Sequence, residues 1–399
     1  GGGGPGGERP AGVGVVGGVG GGGGVMVAPQ GGPAAAEIPG GAARLKVGSL
    51  VWHLPSEIHE IQGEVIAGLG HAHCYVHHDA VLPPDLDLLL IQGPYGSLLP
   101  MALQLRERPP AERPVLVYWY QQNLDLATPL WIRRFLIPVF SDLQRHDGWG
   151  RWPSRLLSRV LPQRLLDRGG RLRGIGDLLW LHRNGLLDVL GLSSTVYADC
   201  LGRLGIDAIV VPRGYHPSLG QQLGLERDID LLWMGRIRSR YRRLAIEQLA
   251  RQLAAEGYKM EIYDGVDKPL IYGSDRTRVL NRARFVLNVS SHADDELSIR
   301  FFIAAANGAV IMSEPNNNRY PFEPQTHFLS LPVASMPAAI DHYARHEDER
   351  RAMAERMIDL VSKELTLEQS IRSLLDAARH VMATRQSADG GGQSMADPS

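Results

Sequence analysis

Residues 285–315 read FVLNVSSHADDELSIRFFIAAANGAVIMSEP. Phe285 to Val289 is a short apolar run of the kind that forms a buried strand, and Ser290 to Glu296 is a polar loop carrying Asp294, Asp295 and Glu296. Ser298 is placed to cap a helix running to Ala306. Gly308 then tolerates the positive φ that ends a helix, and Ala309 to Ser313 forms a second buried strand. In an open α/β sheet, ligands gather at the carboxyl ends of the strands. The amides of a helix start favour an anionic group. The segment therefore predicts a phosphate-like ligand near Ser298, with Arg300 and the acidic loop close by.

The same alternation of apolar runs and helical patterns extends in both directions and predicts parallel sheets. The first set of expected strands is Lys46–Trp52, Cys74–His77, Asp87–Ile91, Val115–Tyr120, Asp188–Leu192 and Ala208–Val211. The second is Asp230–Met234, Lys259–Tyr263, Phe285–Val289, Ala309–Ser313 and Phe328–Leu331. A chain of 399 residues has room for two domains with substantial cores. The expected class is α/β: two Rossmann-like domains facing across a cleft, residues 44–220 and 221–385, with 214–227 as the linker. Residues 1–43 are mostly Gly, Ala and Pro and are expected to stay disordered, as is the polar tail 386–399. Gly12, Gly14 and Gly17 spell a dinucleotide motif by letter, but no strand precedes them and no helix pattern follows, so the match is compositional.

A formal net charge of −1 gives no general attraction to nucleic acid or anionic surfaces. Cys74 and Cys200 are far apart and match no metal or redox spacing, which makes a reducing cytoplasm the expected location. No apolar run is long enough to span a membrane. His71, His73, Cys74, His77 and His78 resemble a metal cluster by letter. Successive residues of a strand point to opposite faces, however, as His73 and Cys74 would and His77 and His78 would, and no second ligand group is spaced to close a site, so no metal is expected. Residues 131–173 interleave Trp131, Trp149 and Trp152 with arginines and leucines. They form a candidate membrane-surface patch at the inner face of the membrane, set against the plainer reading of amphipathic helices packed on a sheet.

The central segment resembles the donor-binding core of GT-B glycosyltransferases of the group 1 kind. Their motif R-x-F-E-A-x-A-x-G is matched by Arg300, Phe302, Ala304, Ala306 and Gly308. Tyr272-Gly273 with Arg278–Asn288, Pro321-Phe322 with His327-Phe328, and Val211-Pro212-Arg213-Gly214 resemble flanking segments of the same family. The likeness covers residues 194–375. One departure stands out: the helix glutamate that contacts the donor ribose falls on Ile303, and its upstream partner falls on Asp295.

The resemblance implies transfer of a sugar from a nucleotide-diphosphate donor to an unknown acceptor, lipid-linked or small. It implies no catalytic metal and no cofactor beyond the donor substrate. Arg236 and Arg240, in the basic loop after the strand ending at Met234, would hold the diphosphate; Arg242 is an alternative to Arg240. Ser298 and Arg300 would complete that cradle. Asp295 would contact the sugar or ribose, with Glu314 and Glu296 as further acids, and Asp264 would line the nucleotide pocket. His53 and Asp125 follow strands that face the cleft and are the candidates for a catalytic base. Because Ile303 cannot accept a hydrogen bond from a diol, the competing expectation is an inactive GT-B-like binding or assembly protein. A sugar-nucleotide epimerase of the same fold is a third.

Overall fold

The computed structural model describes residues 26–27, 43–93, 95–126, 128, 130–146, 163–237, 239–290, 294–295 and 297–392. The motif-like glycines at 12, 14 and 17, Trp149, Trp152, Arg238 and Glu296 lie outside the described residues, as does the tail from 393.

The first sheet is built from β1 (Met26–Val27), β2 (Lys46–Val51), β3 (Ala72–His77), β4 (Leu88–Gly93), β5 (Val115–Tyr120), β6 (Val189–Leu192) and β7 (Ile209–Val210), in the order β1-β3-β2-β4-β5-β6-β7. Only β1 runs antiparallel, against β3. The rest is parallel, and β4 and β5 are buried along their whole length. That is why their sequences are continuous apolar runs: helices cover both faces of a parallel sheet. The covering helices are α1 (Glu57–Gly68), α2 (Leu99–Glu107), α3 (Leu130–Phe140), α4 (Asp142–His146), α5 (Gln163–Arg183) and α6 (Thr195–Gly202).

The second sheet comprises β8 (Ile229–Met234), β9 (Met260–Tyr263), β10 (Ala283–Asn288), β11 (Val310–Ser313) and β12 (Leu329–Ser330), in the order β12-β11-β10-β8-β9 and parallel throughout. Its helices are α7 (Arg240–Ala255), α8 (Gly273–Arg282), α9 (Arg300–Ala306), α10 (Met336–Arg345) and α11 (Glu347–Lys363). In both sheets the strand order reverses beside the first parallel strand, between β2 and β4 and between β8 and β10. Those two points are where an open α/β sheet leaves a crevice.

A last helix, α12 (Leu367–Gly392), returns to the first domain and packs on α1, β5 and β6, burying Leu367, Ile371, Leu374, Leu375 and Ala378. It continues to Gly392, past residue 386 where composition suggested a disordered tail. The chain therefore crosses between the domains twice, and the crossings are paired. Tyr215 N–H donates to Leu365 O and Leu367 N–H to Tyr215 O, both at 2.7 Å, while Ser370 Oγ donates to Pro212 O at 2.9 Å. Gly214 sits at this seam with φ +84°, and a Cβ there would lie 2.4 Å from Leu367 Cα, so only glycine fits. Nearby, buried Arg276 of α8 grips Glu57 of α1 through two bonds of 2.9 Å across the domain interface. Among the described residues, no helix is long and apolar enough to cross a membrane.

Candidate functional site

The carboxyl ends of β5 and β10 face each other across a cavity of about 220 Å³, at the reversal point of the second sheet. Gln121, Gln122 and Asn123 line it from the first domain and Arg213 from the crossing segment. Asn288 to Ser290, Asp295, Ser298, Arg242 and Arg300 line it from the second.

The guanidinium groups are held in place by the fold. Ser239 Oγ accepts from the Arg242 N–H at 3.1 Å, capping α7 and fixing the turn from which Arg242 reaches inward. Arg242 Nε donates to Val289 O at 2.9 Å. Arg300 Nε donates to Met234 O at 2.9 Å, and its Nη1 faces Asn288 Oδ1 at 3.4 Å. Both cations lie over the Trp233 ring, at 5.5 and 4.7 Å from its centre. Burial, and then the Arg242 charge, depress the Arg300 pKa to about 10. Gly235, with φ +119°, leaves the space that Arg300 uses, since a Cβ there would sit 2.7 Å from its Nη2. Arg213 donates to the Gln121 side-chain and main-chain oxygens at 3.0 and 2.6 Å, tying the crossing segment to the end of β5. A cavity walled by guanidinium and amide groups is chemically a receptor for an anion with several oxygens.

Of the residues expected from sequence, Asp295, Ser298 and Arg300 meet at this cavity. Asp295 is buried and its Oδ1 lies 3.1 Å from Arg171. α9 begins at Arg300, and Ser298, expected to cap it, accepts from the Arg300 N–H at 3.3 Å. The hydroxyl thus occupies the amide that the sequence reserved for a ligand. Arg236 and Arg240 are exposed and do not line the cavity. Glu314 lies outside the lining and accepts a hydrogen bond from Tyr241 Oη, which pushes the Tyr241 pKa up to about 12. Asp264 closes a turn, accepting from the Val266 and Asp267 amides at 2.8 and 3.2 Å. Asp125 is similarly engaged by the Thr128 N–H and hydroxyl, both at 2.8 Å. His53 is exposed on the turn after β2. Ile303 is buried in the apolar core around α9. Most of the patch at 131–173 lies outside the residues whose side chains are described. Three described arginines of that patch turn inward: Arg133 to Thr128 O, Arg171 to Asp295 and Arg173 toward Asp177.

A second cavity, of about 120 Å³, adjoins the first and shares Gln121 and Arg213 with it. Its walls are more apolar, with Ile58, Ile61, Leu219, Ile299 and Leu367, and Tyr95 at the first-domain side.

Two solved structures align along most of the chain. Sucrose-phosphate synthase from Thermosynechococcus elongatus superposes with a TM-score of 0.55 at 12% identity, covering 86% of this chain and 100% of that one. HepE from Anabaena, in complex with UDP and glucose, does so with a TM-score of 0.50 at 10% identity and the same coverage. The fold is GT-B. A family model described as glycosyl transferase-like matches residues 238–376, the GT-B half that holds β9 to β12 and most of the arginine cavity. No curated protein sequence matches the chain.

Proposed function

We propose that the protein is a glycosyltransferase that takes its sugar from a nucleotide-diphosphate donor. The observation that carries this reading is the convergence of Arg213, Arg242 and Arg300 on one cavity at the reversal point of the second sheet. A diphosphate there would meet planar donors already fixed by Trp233, Met234 O and Val289 O. As the sugar–phosphate bond breaks, negative charge grows on the leaving group, and these fixed cations stabilise it without reorganising. Asp295, held by Arg171, would contact the sugar. The adjoining apolar cavity would take part of the acceptor, with Arg213 and Gln121 between the two. That the structurally similar Anabaena protein binds UDP and glucose supports a nucleotide sugar as the donor class.

One observation favours the rival, an inactive relative that binds without turnover: Ile303 offers no acceptor for a donor hydroxyl and is packed into the core. Incubating the full chain with a panel of sugar nucleotides and cell extract, and measuring free nucleoside diphosphate, separates the two. Release of diphosphate with a glycosylated product supports transfer. Tight binding with no release from any donor assigns the protein to the rival class.

A further inference from the structure

A second cluster of chemistry lies outside the arginine cavity. β3 ends at His77, and the chain turns at once through His78 and Asp79. One ring nitrogen from each histidine and one Asp79 oxygen all lie within 4.8 Å of one another. His77 Nε2 is 3.1 Å from Trp52 O. A carbonyl only accepts, so Nε2 carries the hydrogen, and in a neutral ring Nδ1 is left as a lone pair. That lone pair faces Asp79 Oδ1, another acceptor. The pair is joined either by a proton on the ring or by a cation held among His77, Asp79 and the neighbouring His78. His78 Nδ1, beside them, is enclosed with no hydrogen-bond partner among the described residues.

We infer that His77, His78 and Asp79 form a binding site for a divalent transition ion of the zinc type. Two imidazoles and a carboxylate are ligands such ions accept. A ligating histidine whose other ring N–H is pinned by a backbone carbonyl is the usual outer-shell arrangement, and the Trp52 carbonyl supplies it. Strict strand alternation had separated His77 from His78, but the strand stops at His77, so the alternation does not apply. Asp79, the third ligand, follows directly on the two histidines in the turn. The ion would fasten the turn after β3 to the end of β2. Trp52 stacks on His78 with ring centres 6.4 Å apart, and its Nε1 donates to Ser97 O at 3.1 Å. Its ring also meets Tyr95, at the mouth of the apolar cavity, edge-on at 6.0 Å. The site would thus stiffen the first-domain rim of the cleft.

A rival cluster, His342, His346 and Glu349, has the same kind of donors but is fully exposed, whereas His77 and His78 are half-buried. It serves as the control. The test is calorimetric titration of the chelator-treated full chain with zinc chloride near neutral pH, on the parent and on His78→Ala, Asp79→Asn and His346→Ala. One equivalent should bind the parent, about tenfold to 100-fold more weakly in His78→Ala and Asp79→Asn and unchanged in His346→Ala. Asp79 is largely exposed, so its variant tests the site without disturbing the Trp52 stack. Absence of zinc binding by the parent would mean that a proton sits between His77 and Asp79, and the inference falls. It falls equally if binding is lost only in His346→Ala.

Discussion

Replacing Arg300 with Met should weaken nucleotide binding while leaving the empty protein about as stable as before. Keeping the guanidinium charged in its present place is unfavourable, because burial and then Arg242 lower its pKa from the ordinary guanidinium value to about 10. At about 1.4 kcal/mol for each tenfold change in proton affinity, that costs about 3 kcal/mol at neutral pH. Against it stand the bond to Met234 O, worth about 1.5–3 kcal/mol for a charged donor, and the stack on Trp233, worth about 1–2 kcal/mol. The two sides nearly cancel. The melting temperature should therefore move by no more than a few degrees, at about 2–4 °C per kcal/mol for domains of this size. A diphosphate bound at the cavity, by contrast, loses charge-assisted bonds worth about 1.5–3 kcal/mol, a weakening of roughly tenfold to 100-fold. Calorimetric titration with uridine diphosphate and a thermal melt on the same preparation read both quantities. An affinity unchanged within about twofold would remove Arg300 from the ligand site. A melting temperature lowered by about 10 °C or more would show that the side chain is a structural clip instead.

Asp177 is pushed up to about 7 by burial, despite the Ser141 hydroxyl donating to it at 2.7 Å. Between about pH 4 and 7 the folded state holds a proton that the unfolded chain has lost, so stability should fall as pH rises through that range and stay low above it. Asp177→Asn should remove the slope, and melts at about pH 5 and about pH 8 would show it; a parent protein equally stable at both is the contrary result. Glu57→Gln leaves Arg276 buried with a neutral partner. Because Glu57 is one-third exposed, the loss should be about 1–2 kcal/mol, seen as a melting temperature lower by several degrees. Gly214→Ala forces a Cβ onto Leu367 Cα at a positive φ and should cost about 3 kcal/mol or more, read as a drop in the urea midpoint.

The strands were legible because most are buried on both faces. Val115–Tyr120 matches its expected bounds, and most of the others differ by one or two residues at an end. The cavity was legible only in part. Asp295, Ser298 and Arg300 lie within one short segment, where spacing carries information. Gln121, Asn123 and Arg213 reach the cavity from far along the chain, and nothing local marks the end of β5 as its opposite wall. The arginine loop shows a finer limit. Five basic residues between 236 and 243 are equivalent in composition, and only the start of α7 at Arg240 decides that Arg242 turns inward while Arg236 and Arg240 face water. Arg171 falls by sequence within the surface patch at 131–173, because its partner, Asp295, belongs to the other domain.

The two passages of chain between the halves run side by side, stitched through Tyr215, Leu365 and Leu367. A single tether would let the halves swivel and drift. A doubled, ladder-bonded one behaves like the spine of a book: the covers can swing about that line but cannot slide past each other. A protease cut in either strand of the spine should leave the halves attached, and a swing of the covers would turn about the line on which Gly214 lies.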